Sequence, residues 1–143
     1  MTITAEEKLA IHELLSRAYL ALDTHDVSGW AAAFVPDGVF AAYDYEFNGT
    51  TAITDFIKQH IAKGAEEGAR HLVTNLLITE EDGKVAVYGY ITKIKIDKMP
   101  AETVAFAGLK GFPIKRDGEW RFARLNLVIT LTAPSVAKFK GQA

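Results

Sequence analysis

Apolar side chains recur at steps of three and four in the first part of the chain and alternate in the later part, which predicts helices first and strands after them. Ile11, Leu14, Leu15, Ala18 and Leu22 predict an amphipathic helix over residues 4 to 23, with Thr4 as its cap and Glu7 three positions on. Tyr19 and Asp23 continue the Leu15 edge at steps of four, so both fall on the shoulder of the buried face. Val27, Trp30, Ala31 and Phe34 form a shorter stripe behind Asp26, and Pro36-Asp37-Gly38 is expected to stop it. Val39 to Phe47 reads as a first strand. Thr50 or Thr51 then caps a third helix with the stripe Ile53, Phe56, Ile57, His60 and Ile61, and Gly64 and Gly68 bracket its exit. Four strands follow, at about 70 to 79, 84 to 97, 102 to 115 and 119 to 132, with turns at Glu81-Asp82-Gly83 and Arg116-Asp117-Gly118 and a break at Pro100.

Helices first and long antiparallel strands afterwards make an α+β pattern. No linker, repeat or low-complexity tract interrupts it, so residues 1–143 are expected to form one domain. Strands this long have to twist and curl over the helices they cover. The result is a cone whose open end is an apolar pocket with a few polar groups, suited to a small molecule.

Composition narrows the partners. Sixteen basic against eighteen acidic residues give a formal charge of -2 with no block of either sign, which gives nucleic acid and anionic membranes nothing to hold. The absence of cysteine excludes a thiol nucleophile, a disulfide framework and thiolate metal sites. Met1 to Lys8 has no basic segment followed by an apolar stretch, and no apolar run is long enough for a membrane helix, so a soluble cytoplasmic protein is expected. No phosphate-cradling glycine loop, nucleophile elbow or dinucleotide fingerprint occurs, and no cofactor or metal is expected.

The chemistry concentrates in Gly68 to Ile78, an apolar run that carries His71 and Asn75. Strand alternation puts His71, Val73 and Asn75 on one face and Leu72, Thr74 and Leu76 on the other, so a titratable ring is expected to look inward. Asp23 is a plausible carboxylate to meet it. A carboxylate accepting from one ring nitrogen fixes the tautomer and leaves the other nitrogen free as a base. Alternatively, Asp23 bonds only to backbone amides of the Asp23-Thr24-His25-Asp26 turn, and His71 is a satisfied core histidine. His12, His25 and His60 are scattered and are expected in solvated or structural roles.

The element order resembles the SnoaL-like branch of the NTF2-like superfamily. So do Leu22-Asp23 closing the first helix, the segment Trp30 to Phe40, the strand Arg70-His71-Leu72-Val73-Thr74-Asn75 and the hairpin Asp117-Gly118-Glu119-Trp120-Arg121-Phe122. The resemblance implies three amino-terminal helices packed in a strongly curved, mostly antiparallel sheet. It further implies that Asp23 and His71 stand where scytalone dehydratase and hexachlorocyclohexane dehydrochlorinase pair an aspartate with a histidine, and that Tyr43 falls near a tyrosine that helps hold water and substrate in the dehydratase. Departures are equally visible: the dehydratase's second histidine falls within Tyr88 to Ile94 here, and its serine and asparagine fall near Ala107 and Leu109. Scytalone itself is therefore not the expected substrate. Ketosteroid isomerases share the cone, but Leu109 and its neighbours supply no buried acid of the kind they use.

The leading expectation is a cofactor-free lyase acting on a small apolar cyclic or aromatic substrate, with His71 as base, Asp23 as its orienting acid and Tyr43 assisting the leaving group. Tyr19, Tyr88, Tyr90, Asn75, Phe40 and Trp30 are expected to line the substrate pocket. Lys93 interrupts an alternating strand and either steadies an anion or lies on the outer face, while Arg124 and Asn126 share the face of Trp120 and Phe122 and either reach the pocket or an oligomer interface. The competing class is a ligand-binding or accessory protein similar to the small subunit of ring-hydroxylating dioxygenases. An apolar outer sheet face predicts a homodimer or homotrimer.

Overall fold

The computed structural model describes residues 2–132. Helix α1 (Ala5–Asp23) begins at the expected capping box: the Glu7 amide donates to Thr4 Oγ1 at 3.1 Å, and the Thr4 amide donates to Glu7 Oε1 at 3.2 Å. Helix α2 (Val27–Ala31) starts at Asp26, whose carboxylate accepts from the Gly29 amide at 3.0 Å. Strands β1 (Phe34–Ala42) and β2 (Tyr45–Asn48) precede helix α3 (Gly49–Ala62), and β3 (Ala69–Glu81), β4 (Lys84–Lys95), β5 (Glu102–Arg116) and β6 (Glu119–Thr132) complete the described chain.

The six strands form one curved, open sheet in the order β2-β1-β6-β5-β4-β3. All neighbours are antiparallel except β1 and β6. The helices fill its concave side. Ile11, Leu15, Ile53, Phe122 and Leu125 are inaccessible there, joined by Trp30, Phe34 and Val87. Trp30 meets Tyr19, Phe34 and Phe40 edge-on at ring separations of 5.2, 5.7 and 5.4 Å, an arrangement that matches the positive ring edge to the negative face.

Three expectations about local structure are corrected. Pro36-Asp37-Gly38 does not stop a helix but forms an irregularity inside β1, where pairing with β6 shifts between Phe34 and Val39. Gly38 is needed there because a Cβ would stand 3.0 Å from the carbonyl oxygens of both Phe122 and Val35. The single strand expected over Val39 to Phe47 is a hairpin, because Tyr43 and Asp44 adopt φ of 54° and 65° and turn the chain in two residues. Helix α3 is not capped by Thr50 or Thr51. It starts at Gly49 behind Asn48, without a side-chain cap.

A further correction concerns β3. Its register against β4 shifts between Thr74 and Leu77, and Asn75 takes φ of 57° in the resulting bulge. The extra residue reverses the alternation, so Leu76 and Ile78 rather than Asn75 continue the inward face of His71 and Val73. Gly89 on β4 accommodates the bulge, since a Cβ at that position would lie 2.6 Å from the Leu76 side chain.

Candidate active site

Asp23 is the last residue of α1, and α1 packs against β3, which is an edge of the sheet. An edge strand leaves backbone N–H groups for other partners. Asp23 takes one of them. Its two carboxylate oxygens each lie 3.2 Å from the His71 amide, and Oδ1 lies 2.7 Å from the ring Nδ1. The carboxylate therefore fixes both the backbone and the ring of the same residue, with the two side chains 7% and 8% exposed. A carboxylate acceptor at this distance selects the tautomer with hydrogen on Nδ1 and leaves Nε2 pointing inward.

His71 Nε2 faces a second acid. Glu66 Oε1 lies 3.7 Å away, and Glu66 Oε2 binds the Lys93 ammonium at 2.7 Å and lies 3.3 Å from His60 Nε2. Glu66 sits in the turn between α3 and β3, where Gly64 and Gly68 take φ of 81° and 63°. The turn is tied down by the Ala65 amide donating to the His60 carbonyl and by His25 Nε2 donating to the Glu66 carbonyl at 3.1 Å. Lys93 is paired directly across the ladder from His71, which brings its ammonium to the same spot. Both ions are almost completely buried, and so is His60. Burial pushes the His60 pKa down to about 4, outweighing the attraction of Glu66, so this ring is neutral at pH 7.

These groups line a chamber of about 50 Å³, room for a few water molecules or one small polar group and its immediate surroundings. Its walls are apolar, with Trp30, Phe40 and Ile91 buried and the short side chains of Ala42, Ala105 and Ala107 leaving the space. Half-buried Tyr43, Phe56, Leu127 and Ile129 mark its opening. Tyr43 stands there because the β1–β2 turn holds it, and its ring lies 5.9 Å from that of His60. Burial, followed by the charge of Glu66, pushes its phenol up to about 12. Tyr19 is raised further by the same two causes in the same order, so both tyrosines remain hydrogen-bond donors.

Of the residues singled out from the sequence, His71, Tyr43, Tyr19, Phe40 and Trp30 line this chamber, and Asp23 stands behind His71, joined to the site through that ring. Asn75, Tyr88 and Tyr90 do not, and their assignment to the pocket is corrected. Asn75 is turned out by the bulge, and Tyr88 and Tyr90 project from the opposite face of β4. Tyr88 binds Glu81, Lys110 lies 5.0 Å over its ring, and Tyr90 is half-exposed beside Phe106. Arg124 and Asn126 also face outward, bonded to each other at 2.8 Å and, through Arg124, to Glu46. Sequence reasoning missed Glu66 and assigned His60 a solvated or structural place. Among the described residues no group of three or more potential ligands is arranged to hold a metal ion, and no helix is long and apolar enough to cross a membrane.

Comparison with known proteins agrees with this architecture. The family model for the SnoaL-like domain matches residues 4–126. No curated protein matches the sequence. A protein of unknown function with a cystatin-like fold from Nostoc punctiforme superposes with a TM-score of 0.85 at 24% identity, covering 94% of this chain and 99% of the other. ActVI-ORFA from Streptomyces coelicolor gives 0.82 at 18% identity, covering 92% and 100%. A Novosphingobium aromaticivorans protein described as a candidate scytalone dehydratase gives 0.74 at 23% identity, covering 89% and 86%. The superfamily includes cofactor-independent enzymes such as scytalone dehydratase and polyketide cyclases. The chain belongs to the SnoaL-like domain family of the NTF2-like superfamily.

Proposed function

We propose that this chain is a cofactor-independent lyase in which His71 removes a proton from an acidic carbon or hydroxyl of a small, largely apolar, cyclic or aromatic substrate. Asp23 holds the ring with hydrogen on Nδ1 and stabilises the imidazolium that forms, while Nε2 takes the proton. Tyr43, at the chamber opening, donates to the departing group. The single observation that carries this reading is the 2.7 Å contact between Asp23 Oδ1 and His71 Nδ1, both side chains withdrawn from water beside an apolar chamber. A general base positioned this way contributes about 10²- to 10⁴-fold.

The test is turnover on a panel of hydroxylated and halogenated cyclic compounds, followed by product formation and by deuterium uptake at the acidic carbon. His71→Ala and Asp23→Asn should each lose that factor while remaining folded, and a folded His71→Ala variant with undiminished turnover ends the proposal. The same reading carries a homo-oligomer through the outer sheet face, where Leu77, Tyr90 and Val128 stand exposed. Sedimentation of the wild-type chain as a monomer at micromolar concentration would remove that part.

A further inference from the structure

Three buried polar atoms at the chamber have no hydrogen-bond partner among the described residues: the Tyr19 hydroxyl, the Trp30 indole nitrogen and Glu66 Oε1. Their residues are 3%, 1% and 2% exposed, so bulk water does not serve them. Buried polar groups are rarely left unpaired, and three around one cavity point to an occupant rather than to three separate defects. His71 Nε2 lies 3.7 Å from Glu66 Oε1 and, with the ring hydrogen on Nδ1, is an acceptor like it, so the two do not satisfy each other and a donor hydrogen has to come from an occupant.

We propose that Glu66 Oε1 and the Tyr19 hydroxyl form a hydroxyl-binding subsite at the floor of the chamber, beside the free His71 Nε2, and that the ligand is a neutral ring compound which places an O–H group there, donating to Glu66 and accepting from Tyr19, while its ring stands in the opening between Tyr43, Phe56, Leu127 and Ile129. This rests on the lyase reading above and narrows its substrate class. The donor and acceptor inventory selects the group: a carboxylate oxygen only accepts, and a tyrosine held protonated by burial donates. A hydroxyl satisfies both at once. A ligand carboxylate would bring a further negative charge against Glu66 and Asp23, and a halogen or methyl group offers Glu66 Oε1 no hydrogen. An ammonium would meet Lys93, whose cation already occupies the other oxygen of Glu66.

Phenol and toluene, which differ by O–H against CH₃ on one ring, test the subsite directly. The indole N–H signal of Trp30 reports binding, and that of Trp120, which lies outside the chamber, serves as the internal reference. A merely apolar chamber prefers toluene, because phenol must shed water from its hydroxyl; the subsite reverses that order, with phenol at least about tenfold tighter. Glu66→Leu combined with Lys93→Met removes the acceptor together with its counter-ion and offers the hydroxyl nothing in its place, so the preference for phenol should fall to parity or below. Tyr19→Phe, which leaves the ion pair intact, should lower it severalfold even where the double variant fails to fold. Equal or tighter binding of toluene by the wild-type chain, or no response of Trp30 to either compound, overturns the subsite. If His71→Ala loses turnover while the wild-type chain shows no phenol preference, the subsite falls and the lyase reading stands. A phenol preference beside undiminished His71→Ala turnover would do the opposite.

Discussion

Replacing Asp23 by Asn separates an orienting carboxylate from one that only caps a strand edge. Asp23 serves two N–H groups of His71, the ring Nδ1 at 2.7 Å and the amide at 3.2 Å from each oxygen. An asparagine has one acceptor oxygen for both, and its NH₂ would be set against a donor. Hydrogen bonds to charged groups contribute about 1.5–3 kcal/mol each, and at 7% exposure solvent screening removes little of that. A loss of about 2 kcal/mol lowers the melting temperature of a domain of this size by roughly 4–8 °C. The fold therefore survives. The catalytic effect should be larger, since a freed ring can place its hydrogen on Nε2 and present no base to the chamber; the same exchange in a serine-protease triad costs about 10⁴-fold.

Three measurements check this together: thermal melting, turnover, and the long-range ¹H–¹⁵N spectrum of His71, which distinguishes the tautomers without any substrate. The wild-type neutral ring should carry its hydrogen on Nδ1, and Asp23→Asn should shift the population toward Nε2. A wild-type ring protonated on Nε2, or a folded Asp23→Asn variant that keeps its tautomer and its rate, refutes the reasoning.

Removing the Lys93 ammonium alone, as in Lys93→Met, strands the Glu66 carboxylate in the interior and should cost about 3–5 kcal/mol. Glu66→Leu combined with Lys93→Met should be less destabilised than either single variant in urea unfolding, and additive losses would show that the two ions are not coupled. His60 binds a proton at about 4 in the fold against an ordinary 6.5, so the unfolded chain takes up that proton first as pH falls. Its contribution is present above pH 6.5 and lost progressively toward pH 4, by about 3 kcal/mol in all, and His60→Gln should flatten the stability profile across that window. Ala107→Leu puts a branched side chain into the chamber wall and should abolish both turnover and phenol binding in a protein that still melts cooperatively; retained binding would place the ligand elsewhere.

The periodic elements were legible because each has one buried face. Ile11 to Leu22 follow the helical period without interruption, and Thr4 with Glu7 encodes a cap from residues adjacent in sequence. The irregularities were not, since each depends on a distant partner. Nothing in Thr74-Asn75-Leu76 announces a bulge; it exists because β4 offers Gly89 opposite, a contact between residues on separate strands. Likewise Pro36-Asp37-Gly38 resembles a helix stop until β6 is present to pair on either side of it.

At the site, the alternation of β4 held more than residue character suggested. Val85, Val87 and Ile91 set the inward phase, which excludes Tyr88 and Tyr90 however well aromatic rings suit a pocket, and which carries Lys93 inward however unusual a buried lysine is. A lysine on that phase requires a buried acid within reach, because an unpaired ammonium would not stay charged in the interior. The ladder partner of Lys93 is His71, and the turn that leads into His71's own strand contains two glutamates between two glycines. The need for Glu66 or Glu67 at the site thus follows from the strand phase together with the β3–β4 register, and the register is not legible in the sequence. Only the left-handed Gly64 and Gly68 decide between them, by folding the turn so that Glu66 reaches beneath the sheet and Glu67 remains in solvent.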